Sequence, residues 1–175
     1  EVCPHHFTLT SDDIKTDDAN FKMNPPLRTR EDVDALIAGL KMDVMGVIAA
    51  DHAPHSEDEK ADGFKKSPFG IVGLETAAAL TYDKLVKPGH LDIIQMAKKM
   101  SYNPAQVIGL DAGYIEEGAP AELVLFDPKR VWTVDKKKFA SKGKNTPFHG
   151  TELAGKVRMT IFGGQIVYRD EENNQ

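Results

Sequence analysis

Between Thr29 and Leu40 the apolar positions Val33, Leu36, Ile37 and Leu40 recur at helical spacing. That pattern predicts an amphipathic helix of roughly three turns with one buried face. Thr29 is placed to cap it, and Asp32 stands three positions on in a capping-box arrangement. A different pattern follows. Val44 to Ala50 is an uninterrupted apolar run that stops at Asp51. With no polar alternation, both faces are expected to be covered, as in a parallel strand of an α/β protein. Its carboxyl end would then deliver Asp51-His52-Ala53-Pro54-His55, and active sites in such sheets and barrels lie at carboxyl strand ends.

On either side the pattern is looser. Residues 11–28 are polar and turn-rich and end in Asn24-Pro25-Pro26-Leu27-Arg28, where the paired prolines exclude helix and hold Asn24 extended. Residues 56–68 are densely charged and read as a mobile surface loop. Phe69 to Glu75 leads into a helix through about Leu85, stopped by Lys87-Pro88-Gly89; a second helix runs from Asp92 to about Met100, and a short one follows Pro104. From Asp111 the chain becomes β-rich. Ala121–Asp127 and Val131–Val134 read as strands, and Ser141–Gly155 as a loop. Lys156–Phe162 alternates with period two and turns at Gly163-Gly164 into Gln165–Tyr168, a hairpin signal. The expected division is residues 1–110 as an α/β part and 111–175 as a β-rich part.

Composition narrows the class without changing this picture. Of 175 residues, 41% are hydrophobic and 28% charged, an ordinary globular balance. The longest apolar stretches fall well short of the roughly 18 residues that cross a bilayer. A single cysteine, Cys3, excludes an internal disulfide framework and fits a reducing, cytoplasmic setting. The net charge of -5, with no Lys/Arg stripe, argues against a nucleic-acid partner. Lys136-Lys137-Lys138 reads as a solvated turn or helix start. The opening Glu1-Val2-Cys3-Pro4 has no initiator Met and reads like a strand already under way, as in an excised, truncated or processed chain.

Asp51, His52 and His55 lie within five residues, and carboxylate and imidazole are common zinc ligands. The same residues also suit a turn capped by Asp51 with surface histidines, and the spacing alone admits both readings. His5-His6 follows Pro4 at an expected strand end, where adjacent side chains point to opposite faces, so at most one would face a site. A packed structural histidine is the plainer reading there. No Gly-x-Ser-x-Gly elbow and no phosphate-cradling glycine loop occurs.

Together, Pro4-His5-His6, Lys22-Met23-Asn24-Pro25-Pro26-Leu27-Arg28, Asp51-His52-Ala53-Pro54-His55 and Pro68-Phe69-Gly70-Ile71-Val72-Gly73-Leu74-Glu75 resemble the dihydroorotases in order and approximate spacing. The likeness is to the longer bacterial type and to the dihydroorotase domain of the animal multifunctional enzyme. It runs through nearly the whole chain, including Gly118-Ala119-Pro120-Ala121-Glu122.

The resemblance implies the C-terminal part of a (β/α)8 barrel of the amidohydrolase superfamily, followed by part of a small β-sandwich built from both chain ends. Glu1–His6 would be the tail of the seventh barrel strand and Val44–Ala50 the eighth. Asp51 would bind the zinc centre, a pair of ions in the family, and act as general base and acid. It would take a proton from the attacking water and hand it to the departing ring nitrogen. Asn24 would hydrogen-bond the substrate ring, His55 would contact the substrate carboxylate, and Phe69 and Gly70 would offer backbone groups to it. Residues 56–68 would be a lid. The reaction implied is reversible hydrolysis of dihydroorotate to N-carbamoyl-aspartate in pyrimidine biosynthesis.

The sequence departs from the family in lacking every metal ligand except Asp51, and also the arginine that clamps the substrate carboxylate. The chain is therefore expected to be an incomplete fragment, inactive alone. Alternatives are an allantoinase- or dihydropyrimidinase-like cyclic amidohydrolase, or a non-catalytic homologue serving as a structural partner. By family likeness the protein would form homo-oligomers, with aspartate carbamoyltransferase as a possible partner.

Overall fold

The computed structural model describes residues 1–171. Its best-formed early helix is α2, Arg30–Lys41, and the local code for it holds in detail. The Thr29 side chain accepts from the Asp32 backbone N–H while the Asp32 carboxylate accepts from the Thr29 N–H, so two end donors are satisfied reciprocally. Val33 and Leu40 are buried, and Leu40 packs with Val2, Phe7, Ile48, Leu85 and Leu91 in one apolar cluster. Each such buried aliphatic side chain stabilises by about 1.5–3 kcal/mol.

The expected strands on either side of α2 are reduced to single bridges. Val2 pairs parallel with Ile48, and His52 pairs parallel with Ile71. Within Val44–Ala50 only Ile48 is buried, and Val44 is 76% exposed, which corrects the expectation of a strand covered on both faces. An apolar run becomes a covered strand only where other strands and helices flank it, and among the described residues Val2 is its one ladder partner. His5 and His6 are likewise not strand residues. They lie in α1, Pro4–Thr8, a single turn opened by proline.

Residues 56–68 are also more ordered than their charge suggests. They form two short helices, α3 (Glu57–Ala61) and α4 (Gly63–Lys66), and Ser56 caps the first through a second capping box. The anchors are polar, which an apolar count misses. Lys60 is buried and donates to the carbonyls of Pro68 and Gly70; Lys22 donates to the Ser67 carbonyl; the Phe64 N–H donates to Asp17.

Helix α5 (Ala77–Thr81) continues through a wide π-helical turn, Tyr82–Val86. The two later helices expected separately are one continuous run. It comprises α6 (Ile93–Ala97), a π-helical turn (Lys98–Tyr102) and α7 (Asn103–Ile108), and it ends at Gly109 in the left-handed conformation. Pro104 lies inside this run, just after the π-helical turn, so the run forgoes one backbone hydrogen bond there. None of these helices is long and apolar enough to cross a membrane.

The C-terminal third is an antiparallel sheet in the order β1 (Leu123–Thr133), β2 (Glu152–Phe162), β3 (Gln165–Arg169). The two β-prone pieces expected at 121–127 and 131–134 form one strand, irregular between Asp127 and Val131, where Pro128 cannot donate to the ladder. Gly163 and Gly164 both have positive φ, as the tight β2–β3 turn requires. Strand β2 begins at Glu152, earlier than the alternation alone marks. Its Leu153 joins Val134, Phe139, Phe148, Ile71 and Met23 in a second apolar cluster, so the sheet packs on the segments that carry the candidate site.

Candidate active site

Asp51 lies at the end of the Val44–Ala50 segment with φ +47°, in the left-handed region that non-glycine residues rarely adopt. Its carboxylate is exposed and makes no hydrogen bond or ion pair to any described residue. An acid held in a costly backbone conformation, with its oxygens unspent, is available to a ligand. Its charge acts on the Cys3 thiol. Burial first, and the Asp51 charge second, raise the Cys3 thiol to about 11 and keep it protonated at neutral pH.

The strongest gathering of ligand-type side chains among the described residues is Cys3, His5 and His6, whose donor atoms lie within 4.8 Å of one another. His5 is buried, its Nε2 has no hydrogen-bond partner, and burial together with the neighbouring His6 pulls its pKa down to about 3. It is a neutral, packed imidazole. His6 Nε2 lies 2.8 Å from the Pro25 carbonyl and so ties α1 to the Lys22–Arg28 segment.

The other predicted residues fall into one connected region. His55 Nε2 is 3.0 Å from the Phe69 carbonyl, and its Nδ1 is 3.7 Å from Glu59. The Lys22 ammonium lies 4.5 Å from the centre of the Phe69 ring, and the Gly70 N–H donates to the Lys22 carbonyl at 2.8 Å. The three segments Lys22–Arg28, Asp51–His55 and Phe69–Gly70 therefore meet. Asn24 is exposed on the first of them and makes no hydrogen bond to a described residue.

The backbone groups of Phe69 and Gly70 differ in availability. Both groups of Gly70 are committed, its N–H to Lys22 and its carbonyl to Lys60 and Asn145. The Phe69 N–H is uncommitted among the described residues. A cleft of about 220 Å3 opens beside His55, lined by three lysines, Lys60, Lys136 and Lys144, with Glu57, Asn20 and Asn145.

Gly70 has φ +99°, and a Cβ there would stand 2.5 Å from the Ala53 Cβ. Gly70→Ala is thus expected to destabilise by about 1–3 kcal/mol through backbone strain and overlap. A urea-unfolding midpoint unchanged from the parent would show that the two segments are not held this closely.

Three further residues have roles here that the sequence reading did not assign. His52 Nδ1 accepts from the Gly73 N–H at 3.1 Å and so fixes the segment after Gly70. Glu75 accepts from the N–H groups of Ala140 and Ser141. Asn145 is buried in the loop before β2 and bonds to the backbone of His55, Ala53 and Gly70.

Comparison with known proteins adds the following. A sequence model of the amidohydrolase family matches residues 4–167. The chain is 49% identical over 171 residues to a dihydroorotase of Clostridium acetobutylicum and 51% identical over 168 residues to one of Clostridioides difficile. These alignments cover 98% and 96% of this chain but 40% and 39% of the relatives, so the chain spans about 40% of their length. Among solved structures, a dihydropyrimidinase from Brevibacillus agri superimposes with TM-score 0.89 at 25% identity, over 98% of this chain and 39% of that one. An L-hydantoinase (dihydropyrimidinase) from Arthrobacter aurescens gives TM-score 0.89 at 27% identity, over 95% of this chain and 38% of that one.

Proposed function

The chain belongs to the amidohydrolase family, and from that premise we propose that it carries the acid–base and substrate-contact segments of a dihydroorotase. In this reading residues 1–110 are the last portion of the barrel, strands seven and eight with their helices, and 111–175 complete a composite β-sandwich. Dihydroorotase is favoured over hydantoinase or dihydropyrimidinase because identity to the former is near 50% across the chain and to the latter 25–27%. The observation that carries the chemistry is Asp51, an exposed carboxylate on a left-handed backbone that makes no hydrogen bond or ion pair among the described residues.

Asp51 fits one oxygen position of a metal centre, since its oxygens are unspent and accessible. Zinc bound there would supply Lewis-acid polarisation of the ring carbonyl and a more acidic water. Asp51 accepts the proton from the attacking water and delivers it to the ring nitrogen, which leaves only once protonated. In the reverse direction Asp51 takes the proton that the attacking carbamoyl nitrogen loses and hands it to the departing oxygen, which leaves as water. His55 and the Phe69 N–H, which is uncommitted among the described residues, take the ring carboxylate, and the exposed Asn24 amide takes the ring edge. The helices α3 and α4, pinned through Lys60 and Lys22, form the cover whose opening admits substrate.

The test replaces the matching segment of the C. acetobutylicum relative with this chain and measures turnover of dihydroorotate, 5,6-dihydrouracil and hydantoin. Dihydroorotate is expected to be preferred by roughly 100-fold or more in kcat/KM, and His55→Ala to erode that preference. Equal or better turnover of the rings lacking a carboxylate would assign the chain to the hydantoinase type.

A further inference from the structure

The segments bearing His55 and Phe69 are held by one buried amide from a distant part of the chain. Asn145 Oδ1 accepts the His55 N–H at 2.9 Å, and its Nδ2 donates to the Ala53 carbonyl at 2.9 Å and the Gly70 carbonyl at 3.2 Å. Its own carbonyl accepts the Val72 N–H at 3.0 Å. The partners fix the orientation of the amide, because a backbone N–H can only donate and a carbonyl can only accept. Asn145 is 6% exposed, so water does not readily replace these bonds.

The surroundings are built to the same end. A Cβ on Gly143 would fall 2.8 Å from the His55 nitrogen and 2.9 Å from Asn145 Oδ1, so the loop approaches as closely as a side-chain-free residue allows. Glu75 anchors the start of this loop through Ala140 and Ser141. Lys60 shares the Gly70 carbonyl with Asn145 and also holds the Pro68 carbonyl. The other ties between the two segments are the His52–Ile71 bridge with its Ala53 N–H to Ile71 carbonyl bond, the His55 Nε2 contact with the Phe69 carbonyl and the Gly73 N–H to His52 Nδ1 bond; Asn145 is the buried side chain that bonds to both backbones at once.

We propose that Asn145 is a positioning residue that fixes the His55 imidazole relative to the Phe69 N–H, and through them the site for a substrate carboxylate. This rests on the dihydroorotase reading above. Asn145 touches no reacting atom; it acts by holding the backbone of two segments that do. An amide is required, because it combines one acceptor and two donors at one end of a short side chain. Aspartate keeps the acceptor but sets a carboxylate against two carbonyl oxygens, and alanine keeps neither.

Two measurements test this. The first is amide hydrogen exchange at His55 in this chain itself, which needs no activity: Asn145→Ala is expected to speed it by at least about tenfold. The second is steady-state kinetics in the segment-replaced enzyme. Asn145→Ala and Asn145→Asp are both expected to raise KM for dihydroorotate by about tenfold or more, with kcat within about threefold of the parent. A purely structural role would lower the amount of active enzyme and leave KM alone. Unchanged exchange at His55 overturns the proposal, and so does faster exchange with KM unaltered. Failure of the underlying reading shows separately, as absence of dihydroorotate turnover before any substitution is made, and the carboxylate role assigned to Asn145 then falls with it.

Discussion

Asp51→Asn in the segment-replaced enzyme is expected to lower kcat by about 1,000-fold or more while leaving the unfolding free energy within about 0.5 kcal/mol. The two halves of this expectation have different physical sources. Stability is spared because the carboxylate is exposed and makes no hydrogen bond or ion pair among the described residues. The backbone at φ +47° suits asparagine as well as aspartate, since both tolerate the left-handed region better than other residues with a Cβ. Activity is lost because an amide can neither accept the proton of the attacking water nor return it to the leaving nitrogen. Initial rates with dihydroorotate and urea unfolding of the same preparation check the two halves. Retention of more than a tenth of the turnover would remove Asp51 from the acid–base role. A large loss of stability would mean that its carboxylate has a structural duty.

The second large effect concerns acid. His5 is neutral when folded, with its pKa drawn from 6.5 to about 3, chiefly by burial and then by His6, whose ring centroid is 4.2 Å away. Below pH 6.5 the unfolded chain takes up a proton that the folded chain refuses. Stability is therefore full above pH 6.5 and falls as pH drops toward 3. The full extent approaches roughly 5 kcal/mol, comparable with the entire stability of a marginal domain. The carboxylates of Asp43 and Asp83 act in the same direction but at lower pH. Lys99 holds the Asp43 pKa below its ordinary value. Lys84, Lys87 and the Ala154 N–H hold that of Asp83 down against its burial. Their contributions are present above the ordinary carboxylate pKa and are lost below it. Replacing His5 with Leu should flatten the dependence between pH 6.5 and 4.5 and leave the steeper acid limb. Unfolding free energies from urea titrations at a series of pH values would show this, and parallel curves for parent and variant would exclude His5 as the cause.

What could be read from the sequence follows from how far each interaction reaches along the chain. The Thr29–Asp32 capping box joins positions three apart, and the structure reproduces it. The Gly163-Gly164 turn is also local, because positive φ at two adjacent residues is a property of those residues. The reading of Val44–Ala50 failed on the same principle. Apolar character signals burial, but the neighbours that would cover Val44 are not set by the run itself. The charged stretch 56–68 misled in the opposite direction. Its Lys60 is buried because two carbonyls and the folded-over Pro68–Gly70 segment receive it, and no count of charges along the chain records that.

The sequence by itself thus determined the helix starts at Thr29 and Asp92, the terminal hairpin, the family resemblance and the choice of Asp51 and His55 as candidates. Only the tertiary structure decided that the Asp51 carboxylate makes no hydrogen bond or ion pair among the described residues, that His5 is an inert buried base, and that Asn145 joins the two site segments. The physical reason is range. Caps and turns are satisfied within a few residues, whereas the side-chain hydrogen bonds of Asn145 span 75 to 92 positions. They exist only because the apolar cluster around Ile71, Phe148 and Leu153 brings that loop under the site.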